Sequence, residues 1–464
     1  MKANWIRERR VGSNSITYAQ FVLNCNYNIL FERLFSNTIK STYHSLGGEV
    51  INLNFWIATP TLWADLLLNK NSLTHLMTQE MGKPFAQAQA EIEKCAWLCD
   101  YFAENAENFL KSEIVKTDAE KSYIAYEPQG VILAIMPWNF PFWQAFRAAV
   151  PALMAGNAMV LKHASNVPGC ALAIETIFKE AGFPDGLFRT LLITSTTALS
   201  LIESPHISGV TLTGSTTAGR SVGAKAGQFL KKCVLELGGS DPYVILDDAN
   251  FEEAATICAN SRLINSGQSC ISAKRFIVLK GQQERFEKLF IERMKNAILG
   301  DPLEDTTTVG PLARLDLREI LHRQVLKSIE KGATCLLGGK IPEGRGFYYP
   351  PTVLTNVTKG MPAYDEELFG PVAAIITAKD EEEALQIAND TIYGLGAAVF
   401  TQDLARGERI ALKELYAGSC FVNAQVKSDP RLPFGGVKES GFGRELSFVG
   451  IKEFVNCKTV FMKS

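Results

Sequence analysis

The chain has 464 residues, 47% of them hydrophobic and 21% charged, with Lys and Arg totalling 47 against 49 Asp and Glu. Such a length carries a large buried core and predicts several domains, and the composition excludes a disordered, collagenous or small disulfide-stapled protein. A formal net charge of −2 gives no electrostatic footprint for nucleic acid or an acidic membrane surface as the main partner.

Residues 1 to about 62 show no sustained period. Arg7, Arg9, Arg10, Arg33 and Lys40, set among Ser and Thr with only Glu8 and Glu32 as acids, weakly resemble an organelle transit peptide; an irregular N-terminal segment is the preferred reading. From Leu62 onward Leu66, Leu67, Leu73, Leu76 and Met77 recur at helical spacing. The turn Met81-Gly82-Lys83-Pro84 stops them. Residues 85 to 110 predict a second helix, and 113 to 128 a hairpin suited to an arm.

An alternating strand and helix rhythm follows, with strands expected at 130–135, 158–162, 188–193 and 208–213 and helices after Pro141 and at 167–180. A second series has strands at 243–246 and 275–279 and helices at 251–265 and 283–298. After a Pro/Gly-rich stretch, strand 372–376, helix 381–389 and strand 396–400 resume it, and 455–462 forms a terminal strand. The pattern predicts an α/β fold with parallel sheets. No stretch of about 18 apolar residues predicts a membrane span; the apolar region Val131 to Val150 is interrupted by Pro137 and Pro141. Ten scattered cysteines, with Cys95 and Cys99 at i,i+4, and five unclustered histidines suggest free thiols rather than a zinc site or other metal. The expected location is the cytoplasm.

Four local elements carry candidate chemistry. Cys270, in Asn265-Ser266-Gly267-Gln268-Ser269-Cys270, follows a predicted helix end among small residues, where a thiolate can attack a carbonyl; a lone cysteine is more often structural. Glu236, in Glu236-Leu237-Gly238-Gly239-Ser240-Asp241-Pro242, is a candidate general base, against the plainer reading of a solvated acid at a strand end. Asn139, in Pro137-Trp138-Asn139-Phe140-Pro141, can donate to an oxyanion or simply cap a helix. Leu212-Thr213-Gly214-Ser215-Thr216 follows a strand and opens a helix, a setting for phosphate, although it does not fit G-x-G-x-x-G.

Together and in this order, these elements resemble the NAD(P)-dependent aldehyde dehydrogenase superfamily. Glu367-Leu368-Phe369-Gly370-Pro371 and Pro433-Phe434-Gly435-Gly436-Val437-Lys438 match further blocks, so the likeness runs from about residue 62 to the C-terminus. "GQSC" followed by Ala273-Lys274-Arg275, "ELGGSDP" and "LKHASN" are most similar to succinate-semialdehyde dehydrogenases. The resemblance implies a Rossmann-type cofactor domain (1–111 and 131–234, with 1–62 atypical). It also implies an α/β catalytic domain (235–430) and a small β oligomerisation arm with the C-terminal segment (112–130 and 431–464), assembled as a homodimer or homotetramer. By the same resemblance Cys270 is the nucleophile, Asn139 part of the oxyanion hole and Glu236 the base for the hydrolytic water. Trp138, Lys162, Ser165, Gly214, Ser215, Glu367 and Phe369 contact the cofactor, Glu367 at the nicotinamide ribose and Phe369 near the ring.

Ser165 stands three residues after Lys162, where NAD-preferring relatives often carry Glu. A Glu repels a 2′-phosphate, while Ser and Lys162 can bind it, so NADP is expected to be preferred and NAD accepted. Arg147 lies in an apolar helix at a position that lines the aldehyde tunnel in this family. A buried guanidinium needs an anion, here expected to be the substrate carboxylate, with a protein carboxylate as the competing partner. A second family arginine is replaced by Ile264, and Arg431 or Ser428 is the expected substitute. The implied reaction is oxidation of succinate semialdehyde to succinate. Glutarate semialdehyde, a broad range of aliphatic aldehydes, or a catalytically silent relative are the alternatives.

Overall fold

The computed structural model describes residues 61–464; the reading of the first 62 or so residues therefore falls, apart from its last two positions, outside the described residues. Two helices lead in. Helix α1 (Lys70–Met81) ends on Gly82, whose left-handed φ of 78° lets the N–H return to the Thr78 carbonyl. Helix α2 (Phe85–Leu110) runs for 26 residues without Gly or Pro and buries Ile92, Leu98 and Phe102.

The arm is an antiparallel sheet of β1 (Glu113–Ile114), β2 (Lys121–Pro128) and β16 (Val455–Met462), with Val455 opposite Pro128 and Met462 opposite Lys121. A second sheet contains β3 (Val131–Met136), β4 (Ala158–His163), β5 (Phe188–Thr190), β6 (Ile207–Thr213), β7 (Lys232–Glu236) and β15 (Gly441–Phe442). Its order is β15-β7-β6-β3-β4-β5, parallel except for β15. The C-terminal segment, expected to serve the arm, thus first supplies an edge strand to this sheet. Strand β3, Val-Ile-Leu-Ala-Ile-Met, is nearly all buried, as a parallel strand covered on both faces requires. Its cover comes from α3 (Pro141–Met154), α4 (Pro168–Glu180), α5 (Ser195–Leu201) and α6 (Thr216–Gln228).

The third sheet holds β8 (Pro242–Ile245), β9 (Arg275–Leu279), β10 (Thr334–Leu337), β11 (Thr352–Thr355), β12 (Val372–Ala378), β13 (Gly396–Phe400) and β14 (Ser419–Val422), ordered β10-β11-β12-β9-β8-β13-β14. Helix α7 (Phe251–Leu263) packs with Gln283–Lys295 over one face. The structure adds helix Leu315–Glu330 and the hairpin partner β10, in a stretch where the sequence pattern predicted nothing. The strand expected at 188–193 stops at Thr190.

In the second sheet the chain moves outward from β3 through β4 to β5, then returns to place β6 on the other side of β3. That reversal opens a crevice at the carboxyl ends of β3 and β6, the usual ligand site of such sheets. The Trp138-Asn139 turn and the Gly214-Ser215 turn both leave from it. Among the described residues, no helix is long and apolar enough to cross a membrane.

Candidate active site

Helix α7 was expected to reach residue 265 but ends at Leu263, because Asn265 and Ser266 adopt left-handed φ values of 52° and 55° and Gly267 one of 75°. Two consecutive non-glycine residues in that region persist only where the surroundings impose it. Here they do. Asn265 N–H donates to Gln87 Oε1 at 2.6 Å, and its side-chain Nδ2 donates to the carbonyls of Asn139 (2.7 Å) and Gln268 (3.1 Å). Arg262 Nη2 donates to the Gly267 carbonyl at 2.6 Å. Lys274 Nζ donates to the carbonyls of Ser269, Cys270 and Ser272 at 2.9, 2.7 and 3.1 Å. Gly267 admits no side chain, since a Cβ would stand 2.2 Å from the Gly370 carbonyl oxygen. The outcome is a fixed backbone presenting Cys270. Burial pushes the Cys270 thiol up to about 12, with Arg147 and Lys274 pulling the other way.

Asn139 is buried on the turn between β3 and α3. Its Nδ2 donates to the Gln268 carbonyl at 3.0 Å, and its Oδ1 accepts from Gln144 Nε2 at 3.1 Å. An amide nitrogen carries two protons, so one remains for a ligand beside the Cys270 loop. The alternative helix-cap role does not apply. Phe140 is the α3 cap residue, and the helix N-terminus is served by Glu91 Oε1, which accepts from the Phe142 and Trp143 N–H groups at 2.9 Å each.

A cavity of about 200 Å³ reaches Cys270. Phe140, Trp143, Ile264 and Phe434 give it apolar walls; Lys94, Arg147, Gln425 and Ser428 give it polar ones. Ile264 lines the wall where some relatives are expected to carry an arginine.

The expected substrate residues fare differently, and one needs correction. Arg147 does line the cavity, but its Nε is ion-paired with Glu445, its Nη2 donates to Thr213 Oγ1 at 3.2 Å, and it lies 4.6 Å from the Phe434 ring centroid. A protein carboxylate is therefore present beside Arg147, and the guanidinium also faces the cavity, so both partners named from the sequence stay open. Arg431 does not line the cavity. It is exposed and holds Asp429 through Nε (2.8 Å) and Nη2 (2.7 Å), because Asp429 lies only two residues away and closer than any cavity group. Ser428 is placed as expected: buried, lining the cavity, and accepting from Lys94 Nζ at 2.8 Å and Trp143 Nε1 at 3.1 Å. Lys94 went unread in the sequence. The available signal was spacing: Gln87, Glu91 and Lys94 put polar groups on one stripe of a helix whose neighbouring positions are buried.

Glu236 ends β7 beside Thr213 and is buried, with no hydrogen-bond partner for either carboxyl oxygen among the described residues. Burial pushes its pKa well up, Arg147 opposes, and Glu445 pushes it further. Glu445 is raised by its own burial, again opposed by Arg147. Two carboxyl groups thus share one guanidinium, and Arg147 joins them to the cavity that holds Cys270.

The cofactor candidates gather along the crevice. Lys162, at the end of β4, is 8% exposed and makes no ion pair among the described residues; burial lowers its pKa. Ser165 is exposed in the turn before α4. Gly214 N–H returns to the Glu236 carbonyl at 2.9 Å, and Ser215 caps α6 by accepting from Ala218 N–H at 3.3 Å. Glu367 is held by Gly239 N–H at 3.1 Å and by Lys274 Nζ at 3.5 Å. Phe369 meets Trp138 edge-on at 5.9 Å between centroids. An unpaired lysine and a helix N-terminus opening on one crevice fit an anionic dinucleotide.

Comparison with known proteins adds a second line of support. The model of the aldehyde dehydrogenase family matches residues 62–460. A Synechocystis protein named probable succinate-semialdehyde dehydrogenase, NADP(+), is 50% identical over 400 residues, covering 86% of this chain and 88% of that protein. The Escherichia coli K12 succinate semialdehyde dehydrogenase Sad, designated for NAD(P)+, is 48% identical over 85% of this chain and 86% of its own. The crystal structure of succinic semialdehyde dehydrogenase from Streptococcus pyogenes with NADP+ superimposes with a TM-score of 0.90 at 36% identity, covering 98% of this chain and 97% of that one.

Proposed function

The chain belongs to the aldehyde dehydrogenase family, and on that premise we propose that it oxidises succinate semialdehyde to succinate with NADP, and with NAD as a second acceptor. The observation that carries the reading is the cavity of about 200 Å³ that ends on Cys270, beside a crevice suited to a dinucleotide.

The Cys270 thiol gives its proton to solvent, Sγ adds to the aldehyde carbon, and the resulting oxyanion accepts from the free Asn139 Nδ2 proton and the Cys270 N–H. When bound, the dinucleotide supplies the acceptor for the hydride that leaves this carbon as it becomes a thioester. Glu236 then takes a proton from water, whose oxygen attacks the thioester and releases the carboxylate and the thiol. Arg147 keeps the ionised form of Glu236 within reach against the cost of burial. Lys162 and the α6 N-terminus would hold phosphate groups, Glu367 a ribose, and Trp138 with Phe369 a flat ring face. Ser165 places a hydroxyl rather than a carboxylate where a 2′-phosphate would sit, which favours NADP.

The second sheet is assigned to cofactor binding and the third to catalysis. Ile114, Phe461 and Met462 are exposed on the arm sheet, which supports a homodimer or homotetramer assembled there in the cytoplasm; sedimentation velocity measures it. The functional test is a panel of succinate semialdehyde, glutarate semialdehyde and butanal with each cofactor, followed at the reduced nicotinamide band. Succinate semialdehyde with NADP is expected to give the highest kcat/KM. A higher value for butanal overturns the assignment.

A further inference from the structure

Asn139 can serve an oxyanion in one of two amide orientations of nearly equal shape. With Nδ2 toward the Gln268 carbonyl, its second proton is left for a ligand. Turned end for end, the same side chain would present the lone pairs of Oδ1 and repel an oxyanion. Whatever fixes that choice takes part in the chemistry.

Two neighbours read the two ends of the amide. The Gln268 carbonyl accepts from Asn139 Nδ2 at 3.0 Å and from Asn265 Nδ2 at 3.1 Å; it has no proton to give to a turned Asn139. On the other side Gln144 Nε2 donates to Asn139 Oδ1 at 3.1 Å, and an amide nitrogen accepts nothing in return. Gln144 is itself held. It is 2% exposed, and its backbone N–H donates to the Phe140 carbonyl at 3.0 Å in the opening turn of α3. Reversing its amide would set Oε1 against Asn139 Oδ1. As it stands, Oε1 has no hydrogen-bond partner among the described residues. Buried amides as a rule satisfy both ends; here one end is forgone and the end facing Asn139 is kept. Gln144 also lines the cavity that reaches Cys270.

We propose that Gln144 is a positioning residue: it locks the Asn139 amide in the orientation that donates to the oxyanion, and so sets the rate at which the Cys270 adduct forms and loses hydride. The inference rests on the roles given above to Cys270 and Asn139 and deepens them. Its effect falls on the reacting carbon, so it is shared by all aldehydes the enzyme takes.

The test compares Gln144→Met, which fills the space and removes the donor, with Gln144→Glu, which sets a carboxylate against Oδ1. Lys94 and Arg147 on the same cavity favour the ionised form of that carboxylate. The readout is the rate of the first turnover at saturating aldehyde, from the burst of reduced nicotinamide, for succinate semialdehyde and butanal. Gln144→Met should slow it about tenfold and Gln144→Glu about 10² to 10³-fold, the loss expected when an oxyanion donor is removed, on both aldehydes and with KM changed by less than about twofold. In an Asn139→Ala background either change should cost less than about a further twofold, because the group it orients is gone. Gln144→Leu replaces the methionine variant should that one not fold. An unchanged burst rate in Gln144→Met, or equal losses with and without Asn139, overturns the positioning role alone. A wild-type protein that oxidises neither aldehyde overturns the functional reading and this inference with it.

Discussion

The loop that carries Cys270 and the strand end that carries Glu236 both feel the charge of Arg147, yet they are held in opposite ways. Around Cys270, Arg262, Asn265 and Lys274 tie down the carbonyls of Gly267, Gln268, Ser269, Cys270 and Ser272. Around Glu236 neither carboxyl oxygen has a hydrogen-bond partner among the described residues. The difference follows from the work each does. A nucleophile that must meet a carbonyl beside a dinucleotide gains from a fixed position. A base that must engage a water only after the first half-reaction gains from freedom, and its cost is a buried acid with a raised pKa.

The largest expected effect separates chemistry from the ties. Cys270→Ala removes the sulfur and none of the backbone bonds, so turnover should fall at least about 10⁴-fold while the melting temperature stays near wild type. A large loss of stability would mean that the thiol itself holds the loop. Next comes Glu236→Gln. Hydrolysis should slow by about 10² to 10⁴-fold, so that rapid mixing shows one burst of reduced cofactor per active site before a slow steady rate. Stability should be unchanged or higher, since an amide is easier to bury than a carboxylate. Wild-type turnover without a burst would remove Glu236 from the hydrolytic step.

Lys274→Met attacks the tied side directly. It deletes three hydrogen bonds and leaves Glu367 without its cation, which should lower stability by about 3 to 5 kcal/mol, read from urea midpoints. The same variant should depress kcat by about 10²-fold on both aldehydes alike; a selective loss on one of them would contradict a purely positional role. The smallest effect belongs to pH. Burial and the adjacent Arg147 bring the Lys94 ammonium down to about 8, with Cys95, Glu91 and Asp429 opposing. The protonated form adds positive charge to the cavity wall, so raising the pH weakens the attraction for an anionic aldehyde. The kcat/KM ratio of succinate semialdehyde to butanal should therefore drop about tenfold from pH 7 to 9, and Lys94→Met should flatten the profile. A flat wild-type profile would place the anion elsewhere.

The sheets were legible because their strands are short apolar runs between turn residues, as Val131 to Met136 illustrates. Cys270, Asn139 and the Ser215 cap were also found, since each sits where an element ends. Two kinds of feature escaped. The left-handed backbone at Asn265 and Ser266 is imposed by Gln87 and Asn139 from distant parts of the chain, with Arg262 fastening Gly267, so local propensity favoured continuing the helix. The charge partners of Arg147 and Arg431 depended on which carboxylate folding brings nearest. Glu445 arrives from the far end of the sequence, whereas Asp429 was close enough to be weighed. Lys94 was hidden for a related reason: a lysine on an acid-studded helix looks solvated until Trp143 and Ser428 close over it.

Helix α2 reaches both ends of this arrangement. Gln87 fastens the nucleophile loop, and seven positions further on Lys94 lines the same cavity. An uninterrupted helix rises about 1.5 Å per residue, so one rigid rod both holds the nucleophile loop and forms a wall of the cavity. Deleting one residue between them would turn every later position by about 100°, carrying Cys95, Leu98 and Phe102 off the buried face along with Lys94, so the cavity wall and the packing of the helix would fail together.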